Sequence, residues 1–216
     1  IEAPETDSEY WKEEQVSYAA AYGGERIPAT LFLPKNAAPP YQAVVYFPPG
    51  SARRLNSIRD AGTRQFAFIV RSGRAVLFPG YKGTYSRRLP PGERGPNESR
   101  DITIQWSKDV GRSIDYLQSR PDIDGGKIGY YGLSMGAVEG PVVAAVEPRI
   151  RVLVLVGGGL GSEEEPPEVD AFNFASRVTA PVLMVNGSHD FLFPLEASQK
   201  PLFHLLGSPE GTKRHV

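Results

Sequence analysis

Short apolar runs alternating with stretches of helical spacing predict an α/β protein with a mostly parallel, doubly wound sheet. Five runs carry the prediction: AVVYF (43–47), RAVLF (74–78), KIGYY (127–131), VLVLV (152–156) and PVLMV (181–185). They are continuous rather than alternating, as strands covered on both faces require. A second observation sets the entry to the sheet. Gln15–Ala20 and Ile27–Leu33 flank Tyr22-Gly23-Gly24-Glu25, a hairpin signal, so the first two strands are expected to be antiparallel.

Residues 1–13 are polar and are expected to form an arm or linker, with one domain over 14–216. AVVYF is broken by Pro48-Pro49-Gly50-Ser51. Asp60–Ser72 has roughly helical spacing and leads to the strand at 74–78. Tyr81–Ser99 is a long loop rich in arginine, proline and glycine, and loops of this length are usually functional. Asp101–Ser119 places Ile102, Trp106, Val110, Ile114 and Leu117 on one helical face, with Ser99 or Asp101 as candidate cap. Ala137–Val146 and Pro194–Leu206 are the remaining helical stretches, and Lys213–Val216 has the character of an opening strand.

Composition narrows the function classes. With 24 basic against 25 acidic residues, net charge gives no reason to expect nucleic acid or an anionic membrane as partner. The absence of cysteine excludes disulfides, zinc-thiolate sites and a cysteine nucleophile. Three scattered histidines without H-E-x-x-H make a catalytic metal unexpected. Gly157–Gly161 lacks the G-x-G-x-x-G spacing and precedes an acidic run, so no dinucleotide or other cofactor is expected.

The most informative feature is Gly132-Leu133-Ser134-Met135-Gly136, between the run at 127–131 and the helical stretch at 137–146. A serine between two glycines at a strand-to-helix junction fits the G-x-S-x-G elbow, which lifts a hydroxyl clear of a sheet for nucleophilic attack. A serine hydroxyl needs a base, usually a histidine oriented by a carboxylate. Asp190, in Gly187-Ser188-His189-Asp190 after the strand at 181–185, is the candidate acid, and Asp170 its rival. His189 adjoins that acid, His204 lies in a helical stretch where packing is expected, and His215 sits within the opening strand. The base is therefore expected just beyond Val216, with the final strand and its histidine loop incomplete in this chain. Charge on the carbonyl oxygen calls for backbone N–H donors. Met135 is one candidate, and Gly50 or Ser51 the other, because Pro48 and Pro49 have no N–H.

Together these pieces resemble the α/β-hydrolase superfamily, and among it bacterial dienelactone-hydrolase-like and acyl-peptidase-like esterase domains, over Trp11–Val216. Its carriers are the Ser134 pentapeptide, Ala145-Val146-Glu147-Pro148-Arg149, Asn186-Gly187-Ser188-His189-Asp190-Phe191, and Tyr22–Arg26 with Leu31–Pro34. Pro48-Pro49 departs from the His-Gly pair common before the oxyanion donor. The resemblance implies Ser134 as nucleophile, Asp190 as acid and a small-molecule carboxylic ester as substrate. It leaves open a peptidase of the prolyl-oligopeptidase type and a non-catalytic binding module, and implies that the domain can be the C-terminal module of a longer chain. Arg87, Arg88, Arg94 and Arg100 are expected on the solvated surface, as is Glu163-Glu164-Glu165.

Overall fold

The computed structural model describes residues 8–89, 97–162 and 165–216. The expected arm over residues 1–7, Arg94 and Glu163-Glu164 lie outside the described residues. Among the described residues eight strands form one sheet: β1 (Trp11–Ala19), β2 (Arg26–Pro34), β3 (Tyr41–Phe47), β4 (Ala75–Pro79), β5 (Ile123–Leu133), β6 (Ile150–Val156), β7 (Val182–Val185) and β8 (Lys213–His215). Their spatial order is β1-β2-β4-β3-β5-β6-β7-β8. β1 and β2 pair antiparallel, β2 runs antiparallel to β4, and every pair from β4 to β8 is parallel. β1 starts at Trp11, so the last three residues of the expected arm belong to the sheet, where the indole packs against Phe32.

The helices are α1 (Ile58–Ala61), α2 (Ala67–Arg71), α3 (Glu98–Gln118), α4 (Met135–Val146), α5 (Ala171–Phe174) and α6 (Lys200–Leu205). The helical stretch at 60–72 is two short helices, broken where Gly62 takes φ 63°. α3 begins at Glu98, earlier than its candidate caps Ser99 and Asp101, which lie within its first turn. Pro194–Leu206 opens with a π-helical turn over Leu195–Gln199 before α6.

Two apolar layers cover the sheet. Trp106, Val110, Ile114 and Leu117 of α3 pack with Ala137 and Val143 of α4 on one face, against Val45, Phe47 and Tyr130. On the other face Ala52, Phe66, Ile69 and Val70 cover Phe32, Tyr46, Phe78 and Tyr131. β3 therefore sends Val45 and Phe47 to one layer and Tyr46 to the other, as its continuous apolar run requires. β6 differs from expectation: Val152 is exposed and Val154 and Val156 are half-buried, because on that side no described helix covers β6 as α4 does on the other.

Candidate active site

Ser134 sits between β5 and α4 with φ 52° and ψ −108°, a conformation that costs a residue with a side chain about 1–3 kcal/mol. The surroundings impose it. Its N–H donates to Val156 O on β6 at 2.8 Å, and its carbonyl accepts from Ala137 and Val138 at 2.8 and 3.0 Å. A Cβ at Gly132 would lie 2.2 Å from Gly136 O, and one at Gly136 would lie 2.4 Å from Phe47 O. The flanking glycines thus let α4 start directly against β5 and the end of β3. The buried Tyr130 hydroxyl donates to Gly136 O at 2.6 Å and fixes that start.

Phe47 pairs with Gly132 in the parallel register, so the chain leaves β3 beside the Ser134 turn. Gly50–Arg53 then forms one 3-10 turn, with Gly50 half-buried and Ser51 exposed. The leading amides of a helical turn have no acceptor within it, which applies to Gly50 and Ser51 here and to Met135 at the head of α4.

Asp190 follows β7, two strands from β5. Its Oδ1 accepts from the N–H groups of Leu192 and Phe193 at 2.8 and 3.1 Å. Gln199 Nε2 donates to Gly187 O at 2.9 Å and Phe193 O at 2.7 Å, bracketing the same turn. Asp170 caps α5 instead, accepting from Phe172 N–H at 2.9 Å.

The histidines are dispersed. His189 is exposed, with Nδ1 3.0 Å from Ser188 Oγ. His204 faces solvent rather than packing, because the buried side of α6 is carried by Leu202. His215 lies in β8 opposite Met184, its ring 5.7 Å from that of Phe203. Burial, reinforced by Lys200, holds the His215 imidazole below its usual pKa.

Residues of α3, α4, the turn at 50–53 and the segment at 83–89 line a cleft of about 650 Å³. Arg53, Arg88, Glu98, Thr103, Glu139 and Glu165 line it. Arg53 lies over the Trp106 ring at 5.0 Å, and Trp106 Nε1 donates to Lys82 O at 2.7 Å. Burial pushes the Glu139 carboxyl up to about 7, against a hydrogen bond with Thr103 that favours the charge.

No family model matches the sequence, and the curated proteins give no match. Solved structures do match. An esterase from an Arctic intertidal metagenomic library superposes with TM-score 0.74 at 22% identity, over 98% of this chain and 86% of the other. A Klebsiella pneumoniae protein assigned as a dienelactone hydrolase gives 0.69 at 21%, over 94% and 84%. The acylaminoacyl peptidase of Pyrococcus horikoshii gives 0.69 at 14%, over 96% of this chain and 36% of that longer one. The fold is that of the α/β-hydrolases. Because β3, β5, β6 and β7 run parallel, the loop after β3, Ser134 after β5 and Asp190 after β7 all emerge at one end of the strands.

Gly158 and Gly159 have a packing role, whereas Gly157 supplies a turn at φ 62° with open space around it. A Cβ at Gly158 would meet Ala137 Cβ at 2.5 Å, and one at Gly159 would meet Ser198 Oγ at 2.2 Å. Among the described residues no group of His, Cys, Asp and Glu is arranged to hold a metal, and no helix is long and apolar enough to cross a membrane. Arg88 and Arg100 do reach the surface region, with Arg88 donating to Arg54 O at 2.6 Å. Arg87 does not: it is buried, paired with Asp109 at 2.6 Å and Glu25 at 3.1 Å. Glu165 accepts from Ser99 Oγ at the cleft rather than facing solvent alone. Glu139 is a further candidate whose sequence signal is its isolation, a lone carboxylate in the apolar stretch MGAVEGPVVAAV.

Glu139 makes stability pH-dependent. Its folded pKa, about 7, stands above the unfolded 4.5, so unfolding releases a proton between these values. The stabilisation is complete below the lower value and is lost as pH rises through the upper, by at most about 3 kcal/mol. Glu139→Gln is expected to raise Tm relative to the parent at pH 8.5 and to leave a smaller difference at pH 4, measured by calorimetry.

Proposed function

We propose that this protein is a serine hydrolase of carboxylic esters, with Ser134 forming the acyl-enzyme. The carrying observation is the positive φ of Ser134, held between β5 and α4 by glycines that no larger residue could replace. Ser134 Oγ attacks the ester carbonyl, and the carbonyl C–O bond to the alcohol breaks as the tetrahedral intermediate collapses. Met135 N–H, with Gly50 or Ser51 N–H, receives the charge on the carbonyl oxygen. Asp190 orients the imidazole that takes the Ser134 proton and returns it to the leaving alcohol. With His215 inside β8, that imidazole belongs to the turn after the strand. Water then releases the acid and regenerates Ser134.

The test is labelling of the full-length protein with a fluorophosphonate, beside hydrolysis of 4-nitrophenyl butyrate, for the parent and Ser134→Ala. Labelling and hydrolysis are both expected in the parent and lost in the variant. An unlabelled Ser134 with no hydrolysis would leave a non-catalytic module. Hydrolysis that is lost in His215→Ala would move the base onto β8.

A further inference from the structure

The cleft between α3, α4 and the turn at 50–53 carries more information than its size. About 650 Å³ lies within the roughly 300–1,000 Å³ common for small-molecule sites. Glu139 is five residues after Ser134 on α4, about 7.5 Å further along the helix axis. Arg53 closes the 3-10 turn that Gly50 opens. The cleft is therefore bounded by the two elements that hold the nucleophile and the candidate oxyanion donors.

Its lining selects among ligand chemistries. Arg53 and Arg88 face a space that Glu98, Glu139 and Glu165 also line. Neither arginine makes an ion pair with another described residue. A ligand of single charge would meet like charge on one wall. An aliphatic chain would strip water from guanidinium and carboxylate groups without replacing their hydrogen bonds, at a cost for each. A neutral ligand with several hydroxyls satisfies both walls: carboxylates accept its O–H groups and guanidiniums donate to its oxygens. Glu139, with a proton on part of its population near neutrality, can serve on either side of such a bond.

We propose that this cleft binds a neutral polyhydroxylated group of sugar type, one or two rings in size, belonging to the ester presented to Ser134. The proposal rests on the hydrolase reading for its catalytic consequence, but binding can be measured apart from it. Trp106 lines the cleft and Trp11 packs on the opposite layer, so Trp11→Phe leaves a single reporter.

Cellobiose is expected to change Trp106 fluorescence saturably, and Arg53→Leu and Glu139→Leu each to weaken binding by about tenfold, the loss of one hydrogen bond to a charged group. Arg53 is exposed, so that variant serves if Glu139→Leu fails to fold. The proposal is overturned if cellobiose gives no saturable change below about 0.1 M, or if hexanoate or glutarate binds more tightly than cellobiose. Acetate release from acetylated cellobiose and from 4-nitrophenyl acetate separates the two readings. Disaccharide binding without hydrolysis of either ester defeats the hydrolase reading alone. Hydrolysis of 4-nitrophenyl acetate without disaccharide binding defeats the cleft proposal alone.

Discussion

Gly136→Ala is expected to cost on the order of 4 kcal/mol in urea unfolding and to abolish fluorophosphonate labelling of Ser134. The new Cβ would stand 2.4 Å from Phe47 O, 2.8 Å from Phe47 Cβ and 2.9 Å from Phe47 C. Two of these are backbone atoms of a central strand, paired to β4 and β5, so no side-chain rotation relieves the overlap. Either α4 withdraws from β3 or the turn at Ser134 opens. Withdrawal breaks the Tyr130 bond to Gly136 O and unseats α4 from the layer it shares with α3. Opening moves Met135 N–H away from the loop that carries Gly50. Both outcomes remove the geometry proposed for catalysis, so stability and labelling fall together. Gly50→Ala is the control, since nothing lies within 4 Å of a Cβ there. It is expected to shift stability by less than about 0.5 kcal/mol. Equal costs at the two positions would show that steric closeness at the Ser134 turn is not what the glycine supplies.

That turn was legible from sequence because its physics is local. A strand that must become a helix within one residue leaves a signature in five consecutive positions. The sheet was legible for a similar reason: buried parallel strands need continuous apolar runs, and each of the five runs forms a strand. Helix boundaries were less so. Asp60–Ser72 has one apolar pattern, yet Gly62 ends α1 and the chain restarts at Ala67, because Phe66 and Ile69 must reach the Phe32–Phe78 layer. His204 was misplaced because helical spacing gives a period but not the direction in which a six-residue helix is rotated. Charged side chains were the least legible. Arg87 and Arg88 are adjacent and chemically identical, and one is buried in an ion pair while the other is exposed. Their difference depends on Asp109, more than twenty residues away in the chain.

Asp109→Ala is expected to destabilise the protein by about 3–5 kcal/mol, the usual cost of removing one partner of a buried pair. Asp109 is fully buried on α3. Its carboxylate accepts from Arg87 Nη1 at 2.6 Å, Tyr22 hydroxyl at 2.8 Å and Lys82 N–H at 3.0 Å. Arg87 donates in turn to Gly80 O at 3.0 Å, Tyr22 hydroxyl at 2.7 Å and Glu25 Oε2 at 3.1 Å. Three segments are joined here: the β1–β2 turn, the chain leaving β4, and the middle of α3. Alanine leaves the guanidinium buried with only the half-exposed Glu25 to oppose its charge. Arg87→Met with Asp109→Leu removes both charges and is expected to cost less than Asp109→Ala alone, because neither ion is left without its partner. The double variant is not expected to match the parent, since Lys82 N–H and Gly80 O lose their partners. What the pair supplies beyond stability is placement: residues 80–88 bend over α3 through these bonds, and Gly83, Arg88 and Leu89 wall the cleft. The double variant should therefore weaken cellobiose binding at the cleft although it alters no lining residue. A double variant less stable than Asp109→Ala would mean that the pair's net electrostatic contribution exceeds its desolvation cost.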